Sequence, residues 1–288
     1  MYLPARKKRH SKFRYITLGF GILFIFAALF IIIINNIGNP KKIKQQLSTT
    51  HPIFRQYQQT IHELTEHLQE NDNNADSSSM QRQGQKASRL ATQADTTKAT
   101  LTNLIRQIEV KQLDRYRTHL TKYLDQTQEL INLEHENANI YQQYSQIFAQ
   151  YEEIILVLKN ATNYIDSNPD RYIAEMTNAI AREQQLVAQM KSIQSIPQTQ
   201  EMIEYSPKIL EAEIEFIQKM IIAVQNQDNN AITATKNEYN RKQAEMNKDI
   251  NRIEDQFNEQ IEQLKHQSQL LETQIQNVYN RLAIQYRL

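Results

Sequence analysis

The chain of 288 residues has no cysteine and no tryptophan, and only four glycines and six prolines. The missing cysteine excludes disulfides, a thiolate nucleophile and thiolate zinc sites together, so the fold is held by packing alone. Glycine and proline turn a chain sharply, and their scarcity leaves few places for hairpins or tight loops. Lysine plus arginine (33) nearly balance aspartate plus glutamate (32), which gives no global basic footprint of the kind nucleic acid requires. What remains, rich in glutamine, asparagine and alternating charges, is the composition of long helices.

Long apolar runs are also rare, with one exception. From Tyr15 to Ile34 about twenty residues carry no charge, enough as a helix to cross a hydrocarbon core about 30 Å thick. A cleaved signal peptide usually has a shorter apolar part and a small-x-small site, whereas this run leads into Asn35, Asn36, Ile37, Gly38, Asn39 and Pro40. The sequence therefore predicts an uncleaved transmembrane signal-anchor over 15–36, behind a basic tail over 1–14. Arg6, Lys7, Lys8, Arg9, Lys12 and Arg14 precede the run, while Lys41, Lys42 and Lys44 follow it. That imbalance predicts a cytoplasmic amino terminus and an extracytoplasmic bulk, single-pass in the plasma membrane. Thr17, Gly21 and Ala28 share one face of the apolar helix and form a candidate packing face for a second copy. The first 44 residues hold nine cations and no anion, so the remainder is mildly acidic.

Beyond the anchor, periodicity predicts an all-α protein: an elongated antiparallel bundle with coiled-coil extensions. A juxtamembrane helix is expected to start near Pro52 and carry Ile53 or Phe54, Tyr57, Ile61, Leu64 and Leu68, followed by a flexible polar loop ending at Ser79. These two make up residues 37–79. The bundle proper, 80–288, is expected to contain helices over about 80–165, 170–195, 206–227 and 231–285. Within the first, the heptad phase shifts near Val110. The polar seam residues Thr127, Glu134 and Asn137 predict a bend or a register-setting contact. Asn168 and Pro169 predict a cap and first turn, and Ser206 and Pro207 another. Near Phe257 to Ile261 two four-residue steps make a stutter. On this reading residues 130–260 form a four-helix bundle, and 85–125 with 260–285 extend past it as a paired stalk.

Candidate chemistry is thin. His62 and His67 are five apart, which puts them on different helix faces and excludes a zinc-protease helix; they read as surface partners of Glu66 and Glu63. His51, His119, His135 and His266 read as solvated. The carboxylates recur beside cations at helical spacing, as solvated faces do. Tyr141, Tyr144, Phe148 and Tyr151 line one face, either as bundle core with phenolic tips reaching water or as a groove for a partner. The sequence thus predicts no catalytic residues, no cofactor and no metal. The partners it predicts are the lipid bilayer, proteins met through coiled-coil surfaces, and a homodimer through the stalk, with no nucleic acid. The expected function is a membrane-anchored scaffold, spacer or tether. The alternative is a ligand-sensing bundle acting through a partner receptor.

Overall fold

The computed structural model describes residues 39–70 and 76–288. The apolar run and its basic tail lie outside the described residues, and with them the orientation and packing-face residues between Arg6 and Ala28. Among the described residues no helix is long and apolar enough to cross a membrane. All regular structure there is helical: α1 (Pro40–Leu68), α2 (Ser77–Arg106), α3 (Asp114–Gln126), α4 (Gln128–Ala161), α5 (Pro169–Lys191), α6 (Gln200–Gln225) and α7 (Asn229–Tyr286).

Two bundles stand end to end and share α4 and α7. The base bundle joins α1, α2, α3 with the start of α4, and the second half of α7 around one core. Alternation of direction is fixed by cross-links between neighbours. Lys42 meets Glu109 at 2.6 Å across α1 and the reversal that follows α2. Gln58 donates to Glu272 at 2.8 Å across α1 and α7, and Lys44 donates to the Arg287 carbonyl. The tip bundle packs α4, α5 and α6 around a second core, and the first half of α7 lies along α6. Arg182 bonds Glu153 there, and Lys191 bonds Glu211, in the same up-and-down order.

Local chemistry explains the boundaries. Asn39 caps α1 by accepting from the amides of Lys41 and Lys42, with Pro40 in the first turn where a missing donor costs nothing. α1 therefore starts twelve residues before the expected Pro52, which sits inside the helix. Ile43 and Leu47 continue the apolar stripe toward the base, and their full burial outweighs the one hydrogen bond that Pro52 removes. Pro207 is likewise internal to α6, which starts at Gln200 because Ile203 reaches the tip core. Asp76 caps α2, so Ser77 to Ser79 are helical and not the end of a loop; Glu152 of α4 holds the Ser77 amide and hydroxyl at 2.9 Å each.

The expected helix over 80–165 is three helices. At Gln107 to Val110 the chain reverses without glycine or proline. Ile108 and Leu113 are buried there as plugs, and Gln46 donates to the Gln107 carbonyl at 2.7 Å. The heptad shift near Val110 marks this reversal. The paired stalk is therefore absent: α2 folds back on α3 and α4, and α1 completes four helices with α7. Close approach of α2 and α4 needs Gly84, where a Cβ would meet the Tyr141 Cβ at 3.1 Å. In the tip bundle the expected four-helix core is chiefly a three-helix core. Between Asn229 and Gln260 only Thr235 and Ile253 of α7 are buried. The stutter falls where α7 passes from tip to base, with Phe257 lining the junction.

Candidate functional site

The polar seam residues of α3 and α4 meet the base core. Thr127 ends α3 and donates its hydroxyl to the Tyr123 carbonyl at 2.8 Å. Its single proton is then committed, so Tyr57 donates to Thr127 at 2.6 Å. Tyr123 donates in turn to Glu272 at 2.6 Å, while its ring meets Phe54 and Tyr57 edge-on. Lys98 seals the break by donating to the Leu124 carbonyl at 2.9 Å and to Gln128; burial lowers its pKa against the pull of Asp125 and Asp95.

Glu134 is 0% exposed and bonds His67 Nδ1 at 2.5 Å, while His67 Nε2 faces Gln83 Oε1 at 2.9 Å. Both ring nitrogens face acceptors, which selects the imidazolium. Burial alone would lower the His67 pKa; the bond and charge of Glu134, with Gln83, turn the net shift upward. The expected surface pairing of His67 with Glu63 is therefore replaced by a buried ion pair that fixes the register of α1 against α4. The other pair in that stretch, His62 with Glu66, does form on the surface at 3.2 Å. His51 is also buried and not solvated. It stacks on Tyr279 at 3.5 Å, bonds the Tyr116 hydroxyl at 3.1 Å, and burial with nearby Arg55 lowers its pKa to about 4. His135 meets Asp95 at a half-exposed pair, and His266 is exposed.

A different polar cluster lies in the tip. Glu183 of α5 is 0% exposed and neither carboxylate oxygen has a hydrogen-bond partner. Burial, reinforced by the charge of Glu213 on α6, raises its pKa to about 8. Glu213 accepts from Tyr151 of α4 at 2.6 Å, and burial raises its pKa against that bond. Glu183 therefore lies in the tip core within reach of the Glu213 charge, and it holds a proton at neutral pH.

No family model, curated protein or solved structure matches this chain.

The tyrosine stripe divides between core and junction. Tyr144 is buried in the tip core; Phe148 and Tyr151 pack against that core and meet each other edge to face at 6.2 Å. Tyr141 lines a junction cavity of about 270 Å³ with Leu68, Met80 and Phe257. A larger groove of about 1320 Å³ runs between α2 and α4, lined by hydroxyls and amides such as Ser88, Thr92, Thr96 and Asn139, and by none of the four aromatics. Small polar residues at helical spacing carried no warning of it. Among the described residues no three His, Asp or Glu side chains come together as a metal site would need. Large exposed aliphatic side chains stand on both bundles, with Leu270 (53%) on the side of the base bundle. Leu156 (60%) and Ile222 (57%) stand on the tip bundle, and Ile284 (81%) stands in the last turn of α7 at the base.

Proposed function

We propose that this chain is a non-enzymatic, single-pass membrane protein. Its amino-terminal apolar run is the anchor, and its two-bundle rod holds a protein partner at a fixed distance outside the cytoplasmic membrane. The observation that carries this reading is axial. α1 begins at the base, a few residues after the apolar run, while Leu156 and Ile222 lie toward the other end of a rod whose longest helix measures about 87 Å. The two buried groups whose pKa values are raised, Glu183 and His67, support it further, because neither side chain opens onto solvent. A second copy is not needed to cover the seams of α2 and α7, since α1 and α3 cover them within one chain. Sedimentation of the full chain in detergent reads that point, and a dimer there would restore the homodimer.

Photocrosslinking from Leu156 and Ile222 in intact cells tests the tether. Defined partner adducts at these positions, and fewer from Leu270 on the base bundle, are expected; adducts spread evenly along the rod overturn it. Cysteines at Ser11 and Asn226 test orientation, with an impermeant reagent expected to label only the second. The sensing alternative is favoured by the polar groove between α2 and α4. Thermal stabilisation of the full chain by small polyhydroxylated or peptide solutes would support it, and loss of that shift in a Thr92→Leu variant would place the solute in the groove.

A further inference from the structure

Charge is segregated along the rod. At the base, residues 39–57, 96–124 and 273–288 carry twelve lysines and arginines against two acids, a net of +10. Both of those acids, Glu109 and Asp114, are already paired with base cations, Lys42 and Arg117. From residue 128 to 262, which covers α4 to the middle of α7, 22 acids oppose eleven cations. Linear sequence hides this, because the three basic stretches are far apart and meet only when α1, the α2–α3 reversal and the end of α7 are brought to one level. The Lys44 bond to the Arg287 carbonyl fixes two of them side by side, and Lys42 with Glu109 fixes the third.

We infer that the base is an anionic-phospholipid docking surface, a second membrane contact distinct from the apolar anchor. Three features point to that occupant. The field has one sign and belongs to one end, so it orients the rod with its acidic tip away from a negative surface. Chain length limits the distance: Ile34 and Asn39 are five residues apart, and full extension spans at most about 18 Å, so an anchored chain keeps the base within reach of headgroups. Ile284 is the most exposed large aliphatic side chain among the described residues and shares its turn with basic residues, a pairing suited to a headgroup boundary. The placement rests on the anchored reading; the charge complementarity does not.

The experiment uses the absence of cysteine. A single environment-sensitive probe is attached to Ile284→Cys, or to Ile222→Cys as the tip control, in the full chain. Each labelled protein is reconstituted with vesicles of phosphatidylcholine alone, or with about one-third phosphatidylglycerol. Headgroup quenching at position 284 is expected to be severalfold stronger in anionic vesicles and to weaken in about 0.5 M salt, with position 222 indifferent. Lys41, Lys111 and Arg281 are exposed and, among the described residues, in no ion pair, so Lys41→Glu, Lys111→Glu and Arg281→Glu together leave the core intact while lowering the base charge to +4. That variant, with helicity checked by circular dichroism, is expected to bring the ratio near one. Flotation separates the two readings. Floating with both lipids but equal quenching in each overturns the docking surface and spares the anchor; floating only with anionic vesicles does the reverse; failure to float with either overturns both.

Discussion

The base and tip bundles use the same four-helix direction pattern, yet treat buried polarity in opposite ways. In the base, the polar side chains of the core are each tied to a partner, although one oxygen of Glu134 is left without one among the described residues. Tyr57 donates to Thr127, Tyr123 to Glu272, and His67 carries the proton that Glu134 needs. In the tip, Glu183 is buried with no bond to either oxygen, α7 covers little of the core, and Leu156 and Ile222 stand in solvent. A bonded ion pair specifies one register, whereas an acid with neither oxygen bonded and an uncovered face leave stability in reserve. The base is built for a fixed geometry. The tip is the half with more freedom to rearrange.

Breaking the base network should give the largest effect. His67→Ala leaves Glu134 buried and unpaired and is expected to cost about 3–5 kcal/mol in urea unfolding, while His67→Leu with Glu134→Leu should recover most of it. In the tip the sign reverses. The folded pKa of Glu183, near 8, lies above its unfolded value of 4.5, so the native state holds a proton that the unfolded chain releases. Its stabilising share is full below about pH 4.5 and is lost as pH rises toward 8. Glu183→Met should therefore stabilise by on the order of 3 kcal/mol at pH 8.5 and by much less at pH 5, read from paired denaturation curves.

The base has an opposite slope at acid pH. His51 is held neutral with a pKa near 4, below its unfolded 6.5, so stability present above 6.5 falls as pH drops toward 4, by about 3 kcal/mol. His51→Phe keeps a ring against Tyr279 and should flatten that slope; an unchanged acid limb would remove His51 as its source. Thr127→Val leaves the Tyr57 hydroxyl without its acceptor and should cost about 1 kcal/mol. At the small end, Lys219→Ala breaks an exposed pair with Glu215 within α6 and another with Glu238 across to α7, and should change stability by less than about 0.5 kcal/mol. A larger loss would show that the α6–α7 seam depends on charge more than its exposure implies.

Much of this contrast was legible in the heptads. The polar triplet Thr127, Glu134 and Asn137 announced an irregularity, and two of the three form the helix break and the register pair. The stutter near Phe257 announced the boundary between bundles. The reversal at Gln107 to Val110 gave only a phase shift, because buried Ile108 and Leu113 make that corner instead of glycine or proline. The prolines misled in the other direction. Pro52 and Pro207 looked like helix starts, but apolar stripes on both sides carried the helices through them. His67 and Glu183 were indistinguishable from solvated neighbours, since a residue's partner across the bundle leaves no local spacing behind. The convergence of basic stretches at the base was hidden for the same reason.

α7 runs unbroken through 58 residues, from the tip bundle to the last turn of the base. A continuous helix fixes more than length: each residue advances the azimuth by about 100° as it adds about 1.5 Å. The compass bearing of Ile222 at the tip, relative to Lys41 at the base, is therefore set by a residue count. A heptad inserted at matching levels of α4 and α7 would raise the tip by about 10 Å and nearly preserve its bearing, while four residues would raise it about 6 Å and turn it by roughly 40°. A partner that tolerates the first change and not the second is reading direction, and one that tolerates neither is reading height.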